Sequence, residues 1–561
     1  MKRQDGSKTS VILIAVVVAL LGVVVATVSL AAERPRVVAA GAELERLCGG
    51  FAFTEGPAAD AEGNVFFTDQ PNDRICKWSV DGKLSVFLSP CGRSNGMFFD
   101  REGNLWTCAD MNNELWKIDP QGNVTVVVKD YKGKKLNGPN DLWIAPNGAI
   151  YFTDPLYKRD YWTRDPAMQQ DGQHVYYLSP DRTTLTRVIT DMVQPNGIIG
   201  TPDGTYLYVA DIGASKTYRY RVNPDGSLSE KKPFCSMGSD GMTIDAEGNL
   251  YLTGNGVTVF NAHGKEIEHI LVPAGWTGNV TFGGQDRKTL FITAEVALYG
   301  LRMRVEGASI PPDFNHDYKV DIQDLLELIQ SWGQNDPSVD MAPPPFGDGV
   351  VDEKDLEVLM SYWGQEVLDP TLLAHWKFDE TAGVVASDSA GELDANVVGN
   401  PLWRPTGGKL NGALQLDGID DYVRTPFVVD PAKGPFSVFA WVKGGGPGQV
   451  ILSQAGWANW LMAADPAGAL MTDLKLGSRR PQALTSPAVI TDGDWHRVGL
   501  VWDGSNRILS VDDIEVAKDT QANLPSSAGG LYIGAGSKPA AGTFWSGMID
   551  DVRIYDRAVK P

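Results

Sequence analysis

A polar residue stands eight positions before a turn six times in the first half of the chain. In the stretch NGPNDLWIAPNGAIYFTD, residues 137–154, Asn140 precedes an apolar run, the turn at Gly148 and a second apolar run. The six equivalent positions hold Glu55, Asn95, Asn140, Asn196, Asp240 and Asn279. Two carboxylates and four amides offer the oxygen ligands that Ca²⁺ prefers. Mg²⁺, Mn²⁺ and Zn²⁺ are the alternatives, although the lack of Cys and His disfavours a dedicated zinc site.

The elements that must position these residues form a repeat. Each copy is an apolar run, a short turn and a second apolar run, with the turn residue at Gly63, Gly103, Gly148, Gly204, Gly248 and Arg287. The spacing of about 40 to 56 residues fits one four-stranded blade of a β-propeller. Asn-Gly and Asp-Gly are also ordinary turn pairs, but six copies in phase favour a six-bladed propeller. The polar residues would then form a ring around its channel.

Longer motifs in residues 40–305 resemble the senescence marker protein/gluconolactonase family, also called regucalcin-like. They include FTEGPAAD, RSNGMFFD, VQPNGIIGTPDGTYLYVAD and SDGMTIDAEGNLYLTGNGV. The resemblance implies a six-bladed propeller with one divalent metal, and its ligands fall on Glu55, Asn140, Asn196 and Asp240. The family's substrate-contacting amides fall on Asn95 and Asn140. An arginine that contacts substrate in animal members is replaced here by Gly138.

The activity that the resemblance implies is hydrolysis of a sugar lactone. A cation can polarise the lactone carbonyl, and Asp240 can accept the proton of the attacking water as general base. We therefore predict an exported, metal-dependent, gluconolactonase-like enzyme. The ring alone leaves two alternatives open: a metal-dependent esterase or phosphotriesterase, and a non-catalytic, calcium-dependent scaffold that binds carbohydrate or protein.

A second, shorter repeat follows the propeller, with a period of 31 residues between Asp321 and Asp352. It resembles a dockerin module, a pair of calcium loops each followed by a helix, and Ca²⁺ is the expected ion. The first loop has calcium-binding spacing, although Tyr318 stands where glycine is usual. Its predicted ligands are Asp313, Asn315, Asp317, Lys319 through its carbonyl, Asp321 and Asp324. The second loop contains a proline-rich insert, and its predicted ligands are Asp340, Asp348, Asp352 and Asp355. A docking partner and a calcium-stabilised spacer are equally open as roles.

From residue 370 onward, short alternating apolar runs separated by Gly, Pro and Asp turns predict a β-sandwich. GALQLDGIDDYVRTP and GMIDDVRIYDRAV resemble the laminin-G-like, concanavalin-A-type jelly roll. That resemblance implies a carbohydrate or cell-surface ligand.

The chain begins with a basic segment and about 20 apolar residues, which predicts a signal peptide or a retained membrane anchor. We therefore expect a periplasmic or extracellular protein. The net charge of −21 argues against nucleic acid as a partner. The predicted regions are 1–32 signal or anchor, 33–308 propeller, 309–367 dockerin-like pair and 370–561 sandwich.

Overall fold

The computed structural model describes residues 37–315, 318–336, 338–344, 347–367, 369–474 and 483–560. The predicted signal or anchor at 1–32 and the predicted ligand Asp317 lie outside these residues. In the described ranges no helix is both long enough and apolar enough to cross a membrane.

Six four-stranded antiparallel sheets form the first domain. Blade 1 comprises β2 (Thr54–Ala59), β3 (Val65–Asp69), β4 (Arg74–Trp78) and β5 (Leu84–Leu88); blade 2 comprises β6 (Ser94–Phe99), β7 (Leu105–Ala109), β8 (Glu114–Ile118) and β9 (Val124–Val128). Blade 3 comprises β10 (Leu142–Ile144), β11 (Ile150–Asp154), β12 (His174–Leu178) and β13 (Leu185–Ile189); blade 4 comprises β14 (Pro195–Gly200), β15 (Tyr206–Asp211), β16 (Lys216–Val222) and β17 (Leu228–Cys235). Blade 5 comprises β18 (Met242–Ile244), β19 (Leu250–Gly254), β20 (Gly256–Phe260) and β21 (Glu266–Ile270); blade 6 comprises β22 (Thr277–Gly283), β23 (Thr289–Ala294), β24 (Ala297–Arg302) and β1 (Glu45–Gly49).

The blades close into a ring. The first strand of each blade contacts the first strand of both neighbouring blades, and β2 contacts β22 across the junction between the two ends of the domain. Strand β1 pairs with β24, so the start of the chain completes the last blade. The six-bladed propeller that the repeat predicts is therefore confirmed.

Local sequence explains the blade geometry. All six predicted turn residues have positive φ, and even Arg287 of the weakest repeat adopts φ +55°. The second strand of each blade carries a nearly continuous apolar run, such as Ile150–Asp154, and all five of its residues are buried. A strand that is buried on both faces needs such a run, because neighbouring blades cover it from both sides.

Two helices follow the propeller, α1 (Ile322–Gln330) and α2 (Glu353–Ser361). Each begins with a capping box, Asp321 with Asp324 in α1 and Asp352 with Asp355 in α2. This reciprocal hydrogen bonding satisfies backbone N–H groups that have no partner within the helix.

The C-terminal domain is a sandwich of two eight-stranded antiparallel sheets around one apolar core. The first sheet contains β25 (Leu372–Trp376), β28 (Leu402–Arg404), β29 (Ala413–Asp417), β31 (Phe436–Gly444), β36 (Trp495–Trp502), β37 (Asn506–Val511), β38 (Ile514–Thr520) and β40 (Ser546–Tyr555). The second contains β26 (Val385–Ala386), β27 (Ala395–Val398), β30 (Tyr422–Arg424), β32 (Val450–Gln454), β33 (Asn459–Ala463), β34 (Ala469–Thr472), β35 (Leu484–Val489) and β39 (Leu531–Ile533). The sandwich contacts blade 4, where Arg219 and Lys232 both pair with Asp556.

Candidate functional site

The six predicted ring residues all lie at the beginning of the innermost strand of a blade. Glu55, Asn95, Asn196 and Asn279 belong to β2, β6, β14 and β22, whereas Asn140 and Asp240 lie two residues before β10 and β18. Five of the six are buried, and Asp240 is half-buried. Because these strands adjoin around the axis, the structure places the six residues at one end of the channel.

Glycines after the ring residues allow this close approach. A Cβ atom on Gly56 would lie 2.0 Å from the carbonyl oxygen of Asn95, and one on Gly241 would lie 1.9 Å from Cγ of Asn279. The ring residue of the next blade therefore occupies the space that a side chain would need. Close packing of neighbouring blades explains the recurrent polar residue–Gly pairs of the sequence.

Three of the four predicted metal ligands are in direct contact. Asn196 Nδ2 donates to Asp240 Oδ1 at 2.7 Å. The carboxyl group of Glu55 lies beside that of Asp240, close enough for each to shift the pKa of the other. The fourth, Asn140, uses its backbone to join blades: its carbonyl accepts a hydrogen bond from Gly96 N at 2.7 Å.

The carboxyl groups of Glu55 and Asp240 are buried next to each other, which disfavours the charged form of both. Burial, followed by repulsion from Asp240, raises the pKa of Glu55 well above its usual value. Burial also raises the pKa of Asp240, although hydrogen bonds from Trp276 and Asn196 oppose that shift. Two adjacent carboxylates with little access to water need a proton or a cation between them.

The donor set fits a hard divalent cation. Oδ1 of Asn196 is buried and has no hydrogen-bond partner among the described residues, whereas Nδ2 of the same amide has two. An unpartnered amide oxygen beside two carboxyl groups is the arrangement that an oxygen-seeking cation such as Ca²⁺ or Mg²⁺ requires. The role of Glu55, Asn140, Asn196 and Asp240 as ligands stays a prediction.

The ring's remaining members have different surroundings. Burial raises the pKa of Asp141 to about 8, although the nearby polar groups of Leu142, Ile198 and Asn279 oppose the shift. Asp141 therefore lies close to residues of blades 4 and 6 near the axis. Asn95, one of the two predicted substrate-binding amides, is buried in β6 beside Glu55 of the preceding blade. Deeper in the channel lies a cavity of about 370 Å³ lined by Asp141 and Asn279.

A long insertion between β11 and β12, residues 155–173, covers part of the site, and the sequence analysis did not identify it. The hydroxyl of Tyr157 accepts from Asn196 Nδ2 at 2.9 Å. Arg159 follows, with its guanidinium 5.1 Å from the ring centroid of Tyr157. The spacing of the repeats does indicate an insertion, because Gly148 and Gly204 are 56 residues apart, whereas Gly63 and Gly103 are 40 apart.

The other end of this insertion is fixed to blade 2. Trp162 Nε1 donates to Asp110 Oδ2 at 3.0 Å, and Arg164 Nη2 lies 3.3 Å from Asp110 Oδ1. A Cβ atom on Gly138 would lie 2.4 Å from Asp110 Oδ1 and 3.0 Å from Arg164 Nη2. The inserted loop and Asp110 therefore fill the space that a side chain at position 138 would need.

Trp276 is a further residue that the sequence analysis missed. Its indole Nε1 donates to Asp240 Oδ2 at 2.6 Å, while the ring itself is exposed at the rim. It precedes β22 by one residue, and nothing in the repeat pattern marks it.

The dockerin-like residues form two similar halves. Asp324 accepts from the backbone N–H groups of Phe314 and Asp321, each at 2.8 Å. In the second half, Asp355 accepts from Met341 at 2.7 Å and from Asp352 at 2.8 Å.

The first residues of the two dockerin-like loops, Asp313 and Asp340, make similar hydrogen bonds. Asp313 Oδ2 accepts from Tyr318 N at 2.9 Å, and Asp340 Oδ2 accepts from Gly349 N at 2.8 Å. Tyr318 adopts φ +67° at the position where glycine is usual. Asn315 and Lys319 lie in the first loop, and the backbone of Lys319 forms an isolated antiparallel β-bridge with that of Glu366. In the second loop, Asp348 forms a salt bridge with Lys354. Calcium binding by either loop stays a prediction.

Elsewhere in the described residues, Asp417, Asp420 and Asp421 of the sandwich form one acidic group with ligand atoms within 4.8 Å of one another. Asp421 is engaged with the backbone N–H groups of Asn400 and Asp417.

Comparison with known proteins decides the family. The SMP-30/Gluconolactonase/LRE-like region matches residues 53–296. A gluconolactonase of Zymomonas mobilis is 30% identical over 293 residues, covering 47% of this chain and 82% of the relative. The chain belongs to the SMP-30/gluconolactonase family. The predicted enzyme class, a gluconolactonase-like lactone hydrolase, is confirmed by such relatives.

Other matches extend the comparison. The lactonase drp35 of Staphylococcus haemolyticus is 27% identical, and the matched region covers 39% of the present chain and 69% of that lactonase. A solved gluconolactonase structure from Xanthomonas campestris is 33% identical, with a TM-score of 0.45, covering 48% of this chain and 91% of the other. The Concanavalin A-like lectin/glucanases superfamily matches residues 417–561, which confirms the predicted concanavalin-like C-terminal domain.

Proposed function

We propose that the propeller hydrolyses a sugar lactone, gluconolactone being the reference substrate, in a metal-dependent reaction at the ring end of its channel. The observation that carries this proposal is the contact of Asp240 with both Glu55 and Asn196, beside an amide oxygen that has no partner. Membership of a lactonase family supports the same reaction.

Glu55, Asn140, Asn196 and Asp240 would hold the divalent cation, with Ca²⁺ as the first expectation. A bound cation of this kind polarises a carbonyl group and stabilises negative charge on its oxygen. Four neutral or anionic oxygen donors are sufficient protein ligands when substrate or water completes the coordination shell.

Asp240 would act as the general base. Trp276 and Asn196 each hold one of its carboxylate oxygens, so the group is oriented before substrate arrives. The proton that Asp240 takes from the attacking water is later transferred to the ring oxygen of the lactone, which leaves as an alcohol. Asn95 and Asn140 would bind sugar hydroxyl groups, and the loop 155–173 would restrict the access of bulk water.

The experiment uses the full chain and follows gluconolactone hydrolysis by acid release. We expect turnover to disappear with chelator and to return with one of Ca²⁺, Mg²⁺, Mn²⁺ or Zn²⁺ added singly. A parallel panel of aryl esters and organophosphates tests the other reaction classes. Ligand binding without turnover of any lactone or ester would contradict the proposal and favour a scaffold.

We propose export for the whole chain, and calcium binding for the dockerin-like segment. The sequence of residues 1–32 supports the first, and the matched loop contacts of Asp324 and Asp355 support the second. We also propose that the concanavalin-like domain holds the enzyme near carbohydrate or a cell surface, as lectin-like domains do. A docking partner for the helical segment stays a prediction.

A further inference from the structure

Arg159, at the mouth of the proposed site, has no anionic partner among the described residues. The guanidinium of Arg159 makes no hydrogen bond or ion pair within the described residues, and its Nε is buried. It nevertheless lies close enough to Glu55, Asp240 and Asp110 to lower the pKa of each carboxyl group. A half-buried, unpaired arginine is costly unless it meets an anion at some stage.

The position of Arg159 is fixed on both sides. Tyr157, on which its guanidinium stacks, is held by Asn196 at 2.9 Å. Tyr161 packs 4.4 Å from the guanidinium of Arg93 on blade 2. The loop therefore places this cation over the ring instead of leaving it in solvent, and Arg93 adds positive charge at the same rim.

The carboxylates near Arg159 each have another partner. A divalent cation offsets the charges of Glu55 and Asp240, and Arg164 offsets that of Asp110 through their ion pair. The buried Asp154 is satisfied by the backbone N–H groups of Asn137 and Gly138, so the positive charge of Arg159 stays without a paired carboxylate among the described residues.

A neutral lactone does not remove this excess. When water attacks, the proton moves to Asp240 as negative charge forms on the carbonyl oxygen, so the net charge of the site is unchanged. When the C–O bond breaks, the proton moves from Asp240 to the leaving oxygen, and the acyl product is a neutral carboxylic acid. It becomes a carboxylate only when its own proton passes to solvent. Because the bound cation would stabilise the oxyanion, Arg159 would meet an unpaired negative charge only in the product, and tighter product binding does not help turnover.

We propose that the substrate is an acidic sugar lactone, which carries a carboxylate or phosphate group besides the lactone, and that Arg159 binds this group. This inference rests on the proposed lactonase function. The anion would compensate Arg159 in substrate, transition state and product alike. Arginine is suited to the task because its planar guanidinium can bind carboxylate or phosphate through two parallel hydrogen bonds.

The test compares Arg159→Gln and Arg159→Lys with wild type in the full chain. Lys158→Gln is the matched control, since it removes one positive charge from the neighbouring, exposed position of the same loop. Glucarolactone and phosphogluconolactone are the acidic substrates, one for each kind of anion, and gluconolactone is the neutral one. We expect Arg159→Gln to raise KM for at least one acidic lactone by about 10- to 100-fold, the equivalent of one lost charged hydrogen bond. KM for gluconolactone should change less than about threefold, and Arg159→Lys should recover part of the loss.

A binding measurement separates this inference from the activity itself. Calorimetry with glucuronate and glucose, in the presence of calcium, reports anion binding without turnover. Loss of glucuronate affinity in Arg159→Gln, with glucose affinity and the Lys158→Gln control unchanged, supports the inference even if no lactone is hydrolysed. Equal effects of Arg159→Gln on acidic and neutral ligands, or no effect on either, overturn it while leaving the lactonase proposal intact.

Discussion

The side-chain amide of Asn196 donates to the carboxylate of Asp240 across two neighbouring blades, with 2.7 Å between Nδ2 and Oδ1. The two residues are 44 positions apart in the chain and one blade apart in the propeller. The contact fixes the orientation of the amide and leaves its oxygen without a hydrogen-bond partner among the described residues, so it links the repeat pattern to the proposed cation site.

Replacement of Asp240 tests that link. Asp240→Ala should lose both cation affinity and turnover, because it removes one ligand and the proposed base together. Asp240→Asn keeps the size and oxygen of the side chain but cannot accept the proton, so kcat should fall by about 10²- to 10⁴-fold. Calorimetric titration with calcium and steady-state kinetics measure the two effects. Glu247→Gln, at an exposed turn of the same blade, is the control, and full activity of Asp240→Asn would remove Asp240 from the mechanism.

Tyr157→Phe tests the support that the inserted loop gives to the ring. The change removes the hydrogen bond from Asn196 Nδ2 and little else. A hydrogen bond of this kind contributes about 1 kcal/mol, so kcat/KM should fall about fivefold. Tyr161→Phe is a matched control, since the hydroxyl of Tyr161 has no hydrogen-bond partner in the described ranges. Equal kinetics for the two variants would show that Tyr157 does not position Asn196.

The sequence predicts the repeated part of this site and misses the rest for a physical reason. A turn residue with positive φ and a polar residue eight positions earlier recur because every blade has the same geometry, so six ring positions could be found from spacing alone. Arg159, Tyr157, Trp276 and Asp141 are not repeated. Their places depend on how one loop folds over its neighbours and on contacts between distant blades, which neither spacing nor residue type encodes.

Calcium should stabilise the helical segment apart from the propeller site. In a chain carrying Asp240→Ala, calcium at 100 times the dissociation constant of the loops should add about 2.7 kcal/mol to their stability. The melting temperature should therefore rise on calcium addition. Asp324→Asn should reduce the rise, because Asp324 is fully buried at the end of the first loop. Glu327→Gln, half-exposed on α1, serves as the control. An identical calcium response in all variants would contradict calcium binding by this loop.

Acid should weaken the C-terminal sandwich through Asp551. Burial alone would raise the pKa of this carboxyl group, but the hydrogen bond with His375 and the charge of Arg553 hold its pKa at about 2. A lowered pKa in the folded state means that the ion pair stabilises the domain at neutral pH. This contribution, about 2 kcal/mol, is lost as the pH falls from about 4 toward 2.

Urea unfolding of the sandwich, followed between pH 7 and pH 2, measures this contribution. Asp551→Asn should be less stable than wild type at pH 7, and the difference should shrink toward pH 2. Asp494→Asn, at an exposed turn, should follow wild type throughout. A difference between Asp551→Asn and wild type that does not depend on pH would assign the loss to packing rather than to charge.

The most direct test of the account is a crystal structure of the chain grown with calcium, with manganese as an anomalous marker in a second crystal. The account predicts one ion at the ring end of the channel, with oxygens of Glu55, Asn140, Asn196 and Asp240 about 2.3 to 2.6 Å away in the calcium form. It would be contradicted if the ring end held no ion while the amide of Asn196 still held Asp240 as it does here, whether or not the dockerin-like loops bind calcium.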